Sequence, residues 1–302
     1  MSFASEAKNN IAALPVKSKC CKKAELYGLF YSQSDFLSGK LKFSTDNERV
    51  AALCSYLTKS VFGFESIFEE SDQLTAKGIQ TKGFKFLPPK EADIEKVKTA
   101  FASDNYLIDS LFECENCARY FLRGLFISVG LITNPQSAYH LEFTVTDEKK
   151  VIALRTLFIN VGIPVKVTSR KGVFAIYIKE SEVIEDFFTY IGAQQISLKI
   201  MDIKIMREIR NNENRRNNCD TANIYKATEA SVMQLKAINA IINNNLFNKL
   251  PEELAQTAKL RIDNPEISMN ELAGLHEPPI TKSGVNHRLS KIIDFYKKNI
   301  EQ

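Results

Sequence analysis

Long hydrophobic runs are missing from this chain: none approaches the ~18 apolar residues that a membrane span requires. The opening residues, MSFASEAKNN, lack the basic-then-apolar order of a secretory signal. The expectation is therefore a cytoplasmic protein with no membrane partner. Charge of one sign is also scarce, since the net value is only +4. Bulk electrostatics alone thus do not argue for a nucleic-acid partner. The small basic excess lies mainly in the C-terminal third, where seven Lys/Arg face four acids between Lys199 and Lys226. A disulfide framework is excluded as well, because six cysteines in a cytoplasmic chain of this length read as reduced thiols.

What is present is ordinary globular composition, with 44% hydrophobic and 25% charged residues over 302 positions, enough for roughly two domains. Tyr120–Gly130 reads as a helix with an apolar face of Leu122, Leu125, Phe126 and Val129. It carries a glycine, Gly124, in mid-span. A helical glycine costs about 1 kcal/mol against alanine, so a close packing partner is the expected reason. Ala24–Ser34 supplies that partner, with Gly28, Leu26, Leu29 and Phe30 in matching positions. The order helix, strand, helix, two strands, helix follows twice, over about 20–105 and 114–192. In the first copy Lys40–Ser44, Phe64–Glu70 and Gly83–Leu87 read as strands, and Asp46 as a helix cap. In the second, Tyr139–Thr146 is a strand, Asp147 caps a helix, and a hairpin turns around Arg170-Lys171-Gly172.

These readings predict an α+β domain over 20–192, duplicated as αβαββα about a pseudo-twofold, behind a short helix or arm at 1–19. Residues 193–227, rich in Asn and Arg, read as a solvated linker, with Arg207, Arg210, Arg215 and Arg216 available to DNA phosphates. An all-α domain is expected over 228–302. There Thr228–Asn243 is a helix, Pro251 starts another, and Ser268 with Glu271 forms a capping box. Thr281 caps a last helix, Lys282–Lys298. Short helix, proline-bearing turn and longer helix make a helix-turn-helix, with a turn about two residues longer than the most compact form.

With Val285, Leu289 and Ile292 inward, Lys282, Ser283, Asn286, His287, Arg288 and Lys291 point outward. Arg can grip guanine bidentately, Asn suits adenine, and Lys and Ser reach phosphates or base edges. Thr281 at the helix start joins this set of DNA-binding candidates, with Arg215 and Arg216 from the linker. The partner expected is double-stranded DNA. The outward faces of the strands offer Lys40, Lys42, His140, Thr144 and Lys166 but also Glu142, and leave DNA contact or a protein-binding role open there. Cys20-Cys21 and Cys114-x-x-Cys117 each precede one of the repeated helices and could meet. Only one pair has finger-like spacing, so they read as small residues packed under a helix, with no metal and no cofactor.

The duplicated unit resembles the LAGLIDADG homing endonucleases. Leu26-Tyr27-Gly28-Leu29-Phe30-Tyr31-Ser32-Gln33-Ser34 lies against the first copy of that motif and Leu122-Arg123-Gly124-Leu125-Phe126-Ile127-Ser128-Val129-Gly130 against the second. The resemblance implies two helices packed through their glycines under a saddle of strands. It also implies a metal-holding acid near the end of each helix, and those positions here are Gln33 and Val129. Valine cannot coordinate an ion and glutamine offers only a neutral carbonyl, so metal-assisted hydrolysis is not expected. Asp35 lies two residues beyond the first acid position.

The chain as a whole resembles the bacterial WhiA regulators. The likeness rests on Cys20-Cys21-Lys22-Lys23-Ala24-Glu25-Leu26, Leu122-Arg123-Gly124, Asn134-Pro135 and Tyr139-His140-Leu141-Glu142. It rests further on the run Asn214–Asn223 (NRRNNCDTAN), on Leu250-Pro251 and Leu260-Arg261, and on the run Thr281–Leu289 (TKSGVNHRL). That family implies a nucleoid-associated, non-enzymatic transcription regulator linked to cell division, chromosome segregation or sporulation. The transcription machinery or another regulator is the second kind of partner implied, and no small-molecule substrate is expected. The alternatives are a metal-dependent DNA endonuclease and a protein-docking scaffold.

Overall fold

The computed structural model describes residues 2–34, 41–74, 80–87, 90–101, 108–170 and 172–300. Lys40, Asp35 and Lys171 lie outside the described residues. The chain divides into two units, Met1–Glu208 and Ile209–Gln302.

In the first unit the central pair is α2 (Lys19–Tyr31) and α5 (Cys117–Val129), with α1 (Phe3–Ala12) ahead of them. A Cβ on Gly28 would lie 2.1 Å from the Phe121 carbonyl oxygen, and one on Gly124 would lie 2.0 Å from that of Glu25. Both distances are far inside van der Waals contact, so glycine is what lets these two backbones touch. The contact is reciprocal, each glycine meeting the residue three before and the residue one after the other glycine.

Around this pair the two halves repeat. The first half holds β1 (Ser44–Thr45), α3 (Glu48–Phe62), β2 (Ile67–Leu74), β3 (Gln80–Leu87) and α4 (Glu91–Phe101). The second holds β4 (Gly130–Ile132), β5 (Leu141–Val145), α6 (Glu148–Asn160), β6 (Lys166–Arg170), β7 (Val173–Ile178) and α7 (Ser181–Tyr190). Their antiparallel sheets run β1-β3-β2 and β4-β5-β7-β6, the same order apart from the added edge strand β4. Sequence pattern overlooked β4 because three residues are too few for period-two alternation to register. It also placed the first strand early: the ladder pairs Ser44 with Lys85 and Thr45 with Phe84.

Equivalent caps start the helices after the first strands. Asp147 accepts from the Lys149 and Lys150 N–H groups, and Asn47 accepts from those of Arg49 and Val50. Asn47 thus replaces Asp46 as the expected cap. Gly63, at φ 79°, ends α3 in the left-handed region that glycine enters without strain.

The core is aromatic. Phe30, Phe43, Phe126, Phe143, Phe158 and Phe187 are all fully buried, each stabilising by roughly 1.5–3 kcal/mol through the water it loses. Inside it lies one buried ion pair between the halves, with Arg123 Nε donating to Glu25 Oε1 at 2.8 Å and Nη2 to Oε2 at 3.1 Å. The pseudo-equivalent positions are aromatic, with the Tyr27 and Phe121 rings 5.2 Å apart. Of the two readings of residues 1–19, a short helix or an arm, the helix is present as α1, whose Ala7 and Ile11 are buried in this core.

Helix α8 runs Gln194–Asn243 without interruption. The segment 193–227 read as a linker is therefore almost wholly helical, and the helix expected over Thr228–Asn243 is its continuation. No glycine or proline occurs between 194 and 243, and Arg, Lys, Glu, Gln and Met there are good helix formers. Solvation holds as expected, since residues 208–230 are exposed throughout. Among the described residues no helix is long and apolar enough to cross a membrane.

In the second unit α9 (Glu252–Asp263), α10 (Met269–Gly274) and α11 (Lys282–Asn299) enclose a core of Leu254, Ala258, Leu272, Val285, Leu289 and Ile292, completed by Ile238 and Ile241 of α8.

Candidate nucleic-acid interface

α10 and α11 start at caps that the sequence encodes. The Ser268 hydroxyl accepts from the Glu271 N–H while the Glu271 carboxylate accepts from that of Ser268. Thr281 accepts from the Gly284 N–H at 3.1 Å, so its hydroxyl is engaged in the helix start. Between them the long turn is filled by His276, only 1% exposed. Its Nδ1 meets the Leu272 carbonyl at 3.0 Å and its Nε2 the Thr257 hydroxyl at 2.9 Å. The Ile280 N–H donates to the Ala273 carbonyl and closes the turn. His276 is a residue the sequence reading missed. A histidine in a turn gives no periodic signal, and its partner Thr257 lies on another helix.

Along α11 the burial of Val285, Leu289 and Ile292 leaves Lys282, Ser283, Asn286, His287 and Lys291 exposed in one outward stripe. Arg288 differs. It is half-buried, with its Nη2 3.4 Å from Glu253 Oε2 on α9. Arg215 and Arg216 are exposed on α8. Of the linker arginines expected to be available to DNA phosphates, Arg207 is anchored within the first unit. It donates to the Pro135 carbonyl at 2.8 Å and lies 5.0 Å over the Tyr139 ring.

Several basic residues on the strand faces of the first unit are paired with acids. His140 Nε2 lies 2.8 Å from Glu142 Oε2, Lys166 Nζ 2.8 Å from Glu180 Oε1, and Lys82 Nζ 3.1 Å from Glu70 Oε2. The two exposed Lys–Glu pairs add little stability, but they neutralise cations a phosphate backbone would need.

At the C-terminal ends of α2 and α5, Gln33 donates to Ser128 Oγ at 3.2 Å and accepts from the Ser44 N–H at 2.9 Å. Val129 is half-buried against the core. Two ammonium groups stand in this region. Lys8 Nζ donates to the Ser128 carbonyl at 3.4 Å, and burial lowers its pKa against the opposing pull of Asp46. Lys150, 4% exposed, donates to the Tyr31 and Ser34 carbonyls at 2.9 and 2.6 Å, completing the end of α2. At the opposite, N-terminal ends of the same helices, the Sγ atoms of Cys20, Cys21, Cys114 and Cys117 lie within 4.8 Å of one another. Cys21 and Cys117 are buried and Cys114 is exposed.

Comparison with known proteins agrees with both units. Residues 118–210 match the WhiA LAGLIDADG-like domain and residues 214–296 the WhiA C-terminal HTH domain. Proteins named probable cell division protein WhiA from Clostridium botulinum and Clostridium novyi are 34% and 36% identical to this chain. The first match covers 99% of this chain and 100% of its relative, the second 97% and 96%. The crystal structure of full-length DUF199/WhiA from Thermatoga maritima, 24% identical, superposes with a TM-score of 0.57 over 99% of each chain and shows the same fold. Fold and surface together define a helix-turn-helix protein that carries a LAGLIDADG-like domain. Within that class the chain belongs to the WhiA family.

Proposed function

We propose that this chain is a non-enzymatic, sequence-specific DNA-binding regulator acting in cell division, the role named for its relatives. The observation that carries the reading is the exposed stripe Lys282, Ser283, Asn286, His287 and Lys291 on a capped second helix. Side chains of these types at the N-terminal half of such a helix suit major-groove readout. Arg215 and Arg216 on α8 add phosphate contacts. The LAGLIDADG-like unit serves as a platform. Gln33 and Val129 at the acid positions, with Lys8 and Lys150 nearby, support the absence of nuclease chemistry, because an ammonium group repels the divalent ion such chemistry requires.

The test uses the full chain on genomic fragments enriched by crosslinking, followed in a salt-dependent binding isotherm. A Lys282→Ala, Asn286→Ala chain is expected to lose preference for the enriched sites while retaining weak non-specific binding. Unchanged preference would remove the helix-turn-helix from the readout. A second reading, docking of a partner from the transcription machinery, is favoured by the exposed Ile224, Tyr225, Val232 and Met233 on α8.

A further inference from the structure

Four of the chain's six cysteines converge at one point, the N-terminal ends of α2 and α5. Cys114 Sγ stands 3.6 Å from Cys20 Sγ, 3.6 Å from Cys21 Sγ and 3.5 Å from Cys117 Sγ. Sulfur atoms at the corners of a zinc tetrahedron with Zn–S of about 2.3 Å are about 3.8 Å apart. The cluster is thus close to the size of a closed tetrathiolate site, and none of these separations is that of a disulfide, about 2.05 Å.

We propose that Cys20, Cys21, Cys114 and Cys117 hold a structural zinc ion that fastens the first repeat to the second.

Adjacent cysteines in mid-helix diverge by about 100° and do not share an ion. Cys20 and Cys21, however, occupy the first turn of α2, where an ion beyond the helix end is within reach of both. Cys114 and Cys117 supply the other two thiolates from the loop before α5 and its first residue. Four thiolates around a divalent ion leave a net negative charge, and the surroundings answer it. The N-terminal ends of both helices carry the positive end of the helix dipole. Neither Ser18 nor Asn116 makes a side-chain cap bond there. Zinc suits this set better than a hard cation, because soft thiolates select it and all four positions are filled by protein. A closed site of this kind leaves no room for a reacting water, so its role is structural. It lies at the opposite end of the central helices from Gln33 and Val129.

The full chain, purified under reducing conditions from zinc-supplemented culture, is expected to contain zinc equimolar with protein by plasma emission spectrometry. The Cys114→Ser, Cys117→Ser chain is expected to lose it, whereas Cys54→Ser and Cys219→Ser chains keep it. Cobalt(II) reconstitution of the stripped wild-type chain gives a readout independent of any variant's folding. Strong d–d bands of tetrahedral cobalt with thiolate-to-metal charge transfer support four sulfur ligands. A metal-free full chain that shows no such bands after cobalt addition would overturn the proposal. So would iron in place of zinc in the metal analysis.

Discussion

Arg288 reaches back from α11 to Glu253 on α9, with its Nη2 3.4 Å from the carboxylate. The arginine is mostly covered and the glutamate is mostly exposed, so binding DNA through Arg288 means exchanging one acceptor for another. Arg288→Ala is expected to lower specific affinity by about 1–3 kcal/mol, the usual size of a base contact. Glu253→Gln is expected to raise it by about 0.2–1 kcal/mol, the worth of an exposed pair. Opposite signs in paired binding isotherms check this, and wild-type affinity in the alanine variant removes Arg288 from the readout.

The glycines at the helix crossing make a sharper prediction. A methyl group at Gly28 or Gly124 would meet backbone, which cannot rotate aside. Gly28→Ala and Gly124→Ala should each destabilise the first unit by about 3 kcal/mol or more, at the upper end of overpacking. Gly274 is the control. It lies in α10 with no heavy atom within 4 Å of its added Cβ, and alanine there should stabilise by up to about 1 kcal/mol. Urea titrations of the three variants decide it; equal midpoints would mean that the helices tolerate separation.

Restoring the missing acids should not restore cleavage. Lys8 Nζ is bonded at the Ser128 carbonyl and Lys150 Nζ at the Ser34 carbonyl, one residue from each acid position, and ammonium groups at those points oppose a divalent ion held by Gln33→Asp with Val129→Asp. Supercoiled plasmid incubated with that variant, or with the unmodified chain, and magnesium should stay closed. Nicking by the unmodified chain that co-purifies with the protein through successive columns would end the non-enzymatic reading.

Glu185 offers a test by pH. It is 6% exposed, and its Oε1 has no hydrogen-bond partner among the described residues. Burial raises its pKa above the ordinary carboxylate value, with Lys204 opposing. A carboxyl that holds its proton more tightly when folded contributes stability at low pH and loses it as pH rises through the folded value. Glu185→Gln should therefore raise Tm at pH 7 and leave it nearly unchanged at pH 4. A lower Tm at pH 7 would show that the charged form is the one stabilised.

Much of this was legible in the residues. Gly124 inside an apolar stripe implied a close partner, and the second glycine stripe supplied it. The capping box at Ser268 and Glu271 placed α10, and Thr281 placed the start of α11. What escaped has physical causes. α8 reads as a linker because its polar residues bury little, yet helix formation there needs only propensity and the absence of breakers. The two cysteine pairs could be read as able to meet, but spacing alone favoured small residues under a helix, because their convergence depends on the two helices lying side by side and running the same way. Arg288 and Glu253 are 35 residues apart on different helices, so no local spacing could reveal that the arginine is partly occupied.

The ion pair between Glu25 and Arg123 has its counterpart across the pseudo-twofold in Phe121 and Tyr27, where the contact is between rings. Two identical first repeats facing each other would bury a pair of carboxylates against tyrosines, and two second repeats would confront guanidinium with phenylalanine. Each half is therefore matched only to its unlike sibling. The asymmetry thus makes the central crossing an internal lock between unlike halves.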